Sequence, residues 1–256
     1  MVALSSILAM LFSLIVSLIL PVIIVVYLYK RWDISLRAVL IGVLTFFISQ
    51  IVLRIPLLNY LANLSWFQNF SGNIIIYSLF LALTAGLFEE TGRYLGFRYL
   101  LSDQLKWKNG IAFGLGHGGI EAIIFVGLTN INNLIYSFMI NSGKFNSVIG
   151  NKLPEATAAL VKKQLITTSA AIFAAGGIER VFAITIQIAF SLIVLYAVVK
   201  RKKIFVIYAI LLHFIIDTPA AIVQFTDLSI WIAEFILLIM SIIAVLFIIR
   251  SRDMIT

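Results

Sequence analysis

The chain has 256 residues, 62% of them hydrophobic and only 12% charged, with a net charge of +8 and no cysteine. Soluble domains are roughly half apolar, so a mean hydropathy of +1.11 excludes a soluble globular class. The missing cysteine excludes disulfides, a thiolate nucleophile and a Cys-type metal site. The basic residues gather at the ends of apolar runs, where they serve topology and lipid headgroups; no nucleic-acid partner is expected.

The apolar runs reach about 20 residues and lack strict alternation, which predicts an all-α, polytopic transmembrane helix bundle of about seven spans. The first is expected over Leu4–Leu28. Its start, "MVALSSILAM", has no basic n-region and reads as a retained span, not a signal peptide. The second is expected over Ala38–Leu58, followed by the uncharged aromatic linker "NYLANLSWFQNFSGN", which has the character of an interfacial segment. The third runs from Ile74 to Leu101, and the fourth from Gly110 to about Ile140. Residues 141–168 are polar and form a long extracytoplasmic loop with a short amphipathic helix expected at Pro154–Leu165. Spans five to seven follow at Ala171–Val199, Ile204–Phe225 and Ser229–Ile249. Basic clusters follow spans one, three, five and seven, which predicts an outside N-terminus and a cytoplasmic C-terminus. Neither an internal repeat nor a second domain is evident, so residues 1–256 read as a single transmembrane domain, with membrane lipids as its surroundings and a bacterial plasma membrane as its location.

Charged groups at bilayer depth cost several kcal/mol unless paired or hydrated, so each needs a reason. The stretch "LFEETGR" places Glu89 and Glu90 four and three residues before Arg93, on neighbouring positions of one helix face. The fourth span opens "NGIAFGLGHGGIEAIIF": four glycines surround His117, and Glu121 follows one turn later. Glycines so placed permit close helix approach or backbone access to a ligand, and suit a water path. The sixth span holds "LLHFIIDTPAA", with His213 and Asp217 again four apart and Pro219 just beyond. These are the chain's two histidines, and each has a carboxylate at i+4. At about 1.5 Å per residue, His117 and His213 lie roughly 12 and 14 Å from the cytoplasmic ends of their spans, and Glu89 roughly 18 Å. One layer can therefore hold all three. In span two Gln50 and Arg54 are also four apart, with Arg54 near the outer end and able to snorkel. In span five Glu179 and Arg180 read as an interfacial pair in preference to a substrate-entry feature, and Gln187 follows. H-E-x-x-H, Walker A and G-x-S-x-G patterns are all missing, which excludes a zincin, a P-loop enzyme and a nucleophile-elbow hydrolase.

The ordered set E-E-x-x-R, F-x-x-x-H, H-x-x-x-D, at Glu89, Glu90 and Arg93, Phe113 and His117, and His213 and Asp217, resembles that of the type II CAAX-prenyl-endopeptidase and bacteriocin-processing superfamily. Within it, "SQIVLRIPLL", "GLGHGGIEAI" and "GIERVFAI" are similar to the signatures of the bacterial YhfC branch of intramembrane proteases. The resemblance implies catalytic roles for Glu89, His117, His213 and Asp217. Glu89 would activate the attacking water with His117 sharing the task, and His213 with Asp217 would stabilise the oxyanion. Glu90 and Arg93 would support them, as would Glu121 through its place one turn from His117. The chain departs from the prenyl-endopeptidase pattern in having two, not three, residues between the glutamate pair and Arg93. It also has Gln187 where the YhfC branch often carries a further histidine.

The expected function is hydrolysis of a membrane-associated peptide bond by a Glu/His-activated water. Glu89, His117 and His213 also constitute a Zn²⁺ sphere of the His₂Glu type. The residues admit both a metal-independent and a Zn²⁺ version, and the lack of clustered or soft ligands inclines the reading to the first. Two other classes stay open: a non-catalytic scaffold or immunity-type relative, and a proton-coupled transporter. No inverted repeat or pair of broken helices supports the latter.

Overall fold

The computed structural model describes residues 1–255. Among these there is no β-strand, and seven helices are long and apolar enough to cross a membrane. They are α1 (Leu4–Trp32), α2 (Leu36–Leu61), α4 (Ile74–Leu100), α5 (Trp107–Asn141), α8 (Ala170–Val199), α9 (Ile204–Val223) and α10 (Ile230–Ile255). Three shorter helices lie between them: α3 (Ser65–Ser71), α6 (Phe145–Val148) and α7 (Glu155–Thr167). The protein is a multi-pass membrane protein, as expected.

Local chemistry explains the boundaries. Asp33 turns the chain in the left-handed region after α1, and the Ser35 side chain accepts from the Ala38 amide to cap α2. Asn73 caps α4 in the same way at Ile76. Arg201, also left-handed, separates α8 from α9. The last helix outruns its apolar segment, continuing through Arg250, Arg252 and Asp253, because charged residues in a final turn cost a helix little and its carbonyls favour cations. The linker before α4 contains α3, whose buried Phe67 packs against Trp66, Phe70, Tyr77 and Phe80. The polar stretch 141–168 is largely helical, with α7 beginning directly after Pro154.

The residues form two compact units. The first comprises Met1–Val22 and Glu121–Val181, the second residues 23–120 and the chain from Phe182 onward. In the first, Val2, Met10 and Leu165 form an apolar core with Leu134, Val161 and Phe173 around it. Ser13 donates to the Phe173 carbonyl at 2.5 Å. Arg180, 8% exposed, is paired with Glu179 and with Glu121 at 3.0 Å. The expected Glu179–Arg180 pair therefore exists, and Glu121 joins it, with Arg180 buried and both carboxylates partly exposed.

In the second unit α4 packs along α9, and α9 against α10. An apolar cluster of Ile186, Ala189, Phe190, Ile216 and Ala244 joins α8, α9 and α10. Part of α2, Phe47–Arg54, is π-helical, a local widening that frequently marks functional sites.

Candidate active site

A cluster of buried polar side chains lies within the second unit, and very close helix contacts position it. A Cβ on Gly116 of α5 would run into the Val39 carbonyl of α2, and one on Gly42 of α2 into the Phe113 carbonyl of α5. The two glycines thus let α2 and α5 touch backbone to backbone. The glycines around His117 serve packing, since Gly114 likewise meets the backbone of Ile188 on α8. On α4, a Cβ at Gly86 would stand 2.9 Å from the Ile210 carbonyl and 3.1 Å from the His213 Cβ, so α9 comes close enough for His213 to reach the glutamate pair.

Glu89 is the hub. Its Oε2 lies 2.9 Å from His117 Nε2, 3.3 Å from Gln187 Nε2, 3.4 Å from Arg93 Nη2 and 3.9 Å from His213 Nε2. Its Oε1 accepts from Gln50 Nε2 at 2.5 Å. Glu90 Oε1 lies 2.7 Å from His213 Nδ1 and 3.1 Å from Arg93 Nε, the latter an ion pair not aligned as a hydrogen bond. Asp217 Oδ2 stands 3.3 Å from His213 Nε2. Glu90, Arg93 and His117 are fully buried, Glu89 and His213 almost so, and the Asp217 side chain is 39% exposed. Phe190 stacks on His213 with centroids 4.8 Å apart, and Phe46 meets His117 edge-on at 5.2 Å. Both imidazoles are therefore fixed in plane as well as in position.

Two arginine–glutamine pairs hold the Glu89 carboxylate. Arg54 Nη1 donates to Gln50 Oε1 at 3.0 Å, which leaves the Gln50 amide nitrogen for Glu89. Arg93 Nη2 donates to Gln187 Oε1, which turns the Gln187 amide nitrogen towards the other Glu89 oxygen. Arg93 Nη1 also donates to the Gln187 carbonyl at 2.9 Å and to Ser191 Oγ at 2.7 Å. Arg54 does not snorkel: it turns inward to Thr84 Oγ1 at 3.1 Å and the Leu81 carbonyl at 2.6 Å. The reason is energetic, since five N–H donors in an apolar surround are better satisfied by these acceptors than left exposed to lipid.

The structure thus brings Glu89, Glu90, Arg93, His117, His213 and Asp217 together. Glu121 belongs to the first unit, where its Oε1 accepts from Arg180 Nη1. Gln50 and Gln187 carry little signal in the sequence, and Ser191 and Thr84 carry none. For Gln50 the clue is its i,i+4 spacing to Arg54, and for Gln187 it is the family resemblance alone.

The donor set fits a divalent transition metal. Ligand atoms of Glu89, Glu90 and His213 lie within 4.8 Å of one another, and Glu90 Oε2 is buried without a hydrogen-bond partner. Both ring nitrogens of His213 face carboxylates, Nδ1 towards Glu90 and Nε2 towards Asp217, so a proton on each or a metal ion in place of one would offset the negative charge gathered here. Imidazole and carboxylate donors suit zinc and its neighbours.

Comparison with known proteins supplies the family. Residues 16–237 match the model of the YhfC intramembrane metalloprotease family. The chain is 37% identical over 210 residues to the uncharacterized membrane protein YhfC of Bacillus subtilis (strain 168), covering 82% of this chain and 81% of that protein. No solved structure matches. With four-fifths of its length aligned to that relative and the family model spanning most of its helices, the chain belongs to the YhfC intramembrane metalloprotease family.

Proposed function

We propose that the protein is an intramembrane endopeptidase of the plasma membrane, hydrolysing a membrane-associated peptide bond with a water activated by Glu89. The observation that carries this reading is that one carboxylate oxygen, Glu89 Oε2, faces both imidazoles, at 2.9 and 3.9 Å.

Peptide hydrolysis needs a base for water, donors for the oxyanion and an acid for the leaving amine. Glu89, held by Gln50 and Gln187 as an acceptor, takes a proton from water as its oxygen attacks the scissile carbonyl. His117 Nε2, hydrogen-bonded to the same carboxylate oxygen, orients that water. His213 is fixed by Glu90 at Nδ1, leaving Nε2, flanked by Asp217, to donate to the developing oxyanion. When the tetrahedral species breaks down, Glu89 returns its proton to the amine and the C–N bond cleaves. Arg93 keeps the paired glutamates in register. A divalent metal held by Glu89, Glu90 and His213 would supply Lewis-acid polarisation beside the attacking water.

The test is cleavage of membrane peptides by purified protein in liposomes. Glu89→Gln or His117→Ala should abolish product while the protein stays monodisperse and inserted. Retained cleavage in both variants overturns the assignment. Absence of cleavage by the wild type, with partner binding untouched by either change, would instead favour a scaffold.

A further inference from the structure

Where α4 and α8 end, within the second unit, lies a cavity of about 280 Å³ lined by Tyr94 and Arg98 of α4, Ala197 and Val198 of α8, and Arg201 and Lys203 of the α8–α9 turn. Three of the six lining residues are cations, and none is a carboxylate. None of the three has an ion-pair partner among the described residues, unlike Arg37 with Asp103 and Lys108 with Asp33. Water screens the mutual repulsion of these exposed cations, but an anion seated in the hollow would pair with all three at once. Arg201 adopts a left-handed conformation, φ 56°, which is rare for a residue with a Cβ and disfavoured for a long side chain. Ala197 and Val198 are buried and form an apolar floor, while Arg98, Arg201 and Lys203 are exposed at the rim. Tyr94 adds a hydroxyl able to donate.

A floor of hydrocarbon beneath a rim of guanidinium, ammonium and phenol matches an amphiphile with an anionic head. Guanidinium groups bind phosphate with paired N–H donors. The cavity also sits at the end of two membrane-spanning helices, where lipid headgroups lie. We propose that this cavity binds the phosphate of an anionic phospholipid, with Arg98, Arg201 and Lys203 as its ligands. None of the residues placed in the proteolytic chemistry takes part, so lipid binding and proteolysis can fail independently of each other.

The experiment measures lipid binding to the purified full chain by native mass spectrometry, titrating phosphatidylglycerol, phosphatidylethanolamine and inorganic phosphate. One phosphatidylglycerol should be retained in preference to phosphatidylethanolamine, and inorganic phosphate should not displace it. Each basic residue near an anionic headgroup contributes about fivefold in affinity, so Arg98→Gln with Arg201→Gly should weaken the site about 25-fold. Glycine is chosen at 201 because it suits the left-handed backbone, so a folding defect is not expected there. Lys30→Gln with Arg31→Gln, at the end of α1, should leave this binding unchanged. Equal retention of both lipids, or unchanged binding in the Arg98/Arg201 variant, overturns the proposal. Displacement by inorganic phosphate alone overturns the lipid assignment in favour of a free-phosphate site.

Discussion

Replacing Gly116 by alanine puts the close α2–α5 contact to a sharp test. A Cβ there would collide with the Val39 carbonyl oxygen and stand 2.8 and 3.0 Å from the Val39 carbonyl carbon and Cα. The obstacle is backbone, so no side-chain rotation relieves it and α5 must move away from α2. Overpacking of this kind costs about 1–3 kcal/mol, and a rigid obstacle places the cost in the upper half of that range. Alanine returns about 1 kcal/mol through its better helix propensity. The net loss is about 1–2 kcal/mol, or a midpoint lowered by about 2–8 °C. A Cβ at Gly176, on α8, would meet nothing within 4 Å, so Gly176→Ala should raise the midpoint, by up to about 1 kcal/mol of stability. Thermal unfolding of both variants in one detergent reads the two signs side by side. A shift of α5 also lengthens the 2.9 Å His117–Glu89 contact, and a displacement of about 1 Å can cost about a hundredfold in rate. A Gly116→Ala protein as stable as the wild type would refute the backbone-contact reasoning.

Further outcomes follow from the charge network. Gln187→Leu removes a charged hydrogen bond from Arg93 and one to Glu89, and should destabilise the fold by about 2–4 kcal/mol in denaturant unfolding, with Gln187→His retaining most of it. Arg93→Met strands two buried carboxylates and should cost about 3–5 kcal/mol, largely recovered when Glu90→Gln is added. Arg180→Met should cost a similar amount, about 3–5 kcal/mol, without affecting metal or lipid binding. If zinc occupies the Glu89–His213 cluster, saturating Zn²⁺ at about a hundred times its dissociation constant should stabilise the wild type by about 2.7 kcal/mol, and His213→Ala should abolish that gain in a thermal-shift titration.

Much of this architecture was legible in the sequence, for reasons that can be named. Spans were readable because lipid forces every backbone polar group into a helix and leaves long apolar runs. The E-E-x-x-R and His-x-x-x-acid spacings were readable because i,i+3 and i,i+4 positions share a helix face, whatever the neighbours. Gln50 and Gln187 were harder, because an amide carries no charge and gains its role only when an arginine on one side and Glu89 on the other fix its orientation. Glu121 and Arg180 were harder for a related reason: their 3.0 Å contact joins residues 59 positions apart, and no local pattern encodes it. Glycine spacing showed that something comes close to α5, but not that it would be the backbone of α2.

Single-turnover cleavage of a membrane peptide in H₂¹⁸O, followed by mass spectrometry of product and enzyme, addresses the role of Glu89 most directly. Direct attack by a Glu89-activated water predicts heavy oxygen in the new carboxyl terminus of the product and none in the Glu89 side chain. Label in Glu89, or cleavage that proceeds equally in Glu89→Gln, would contradict it.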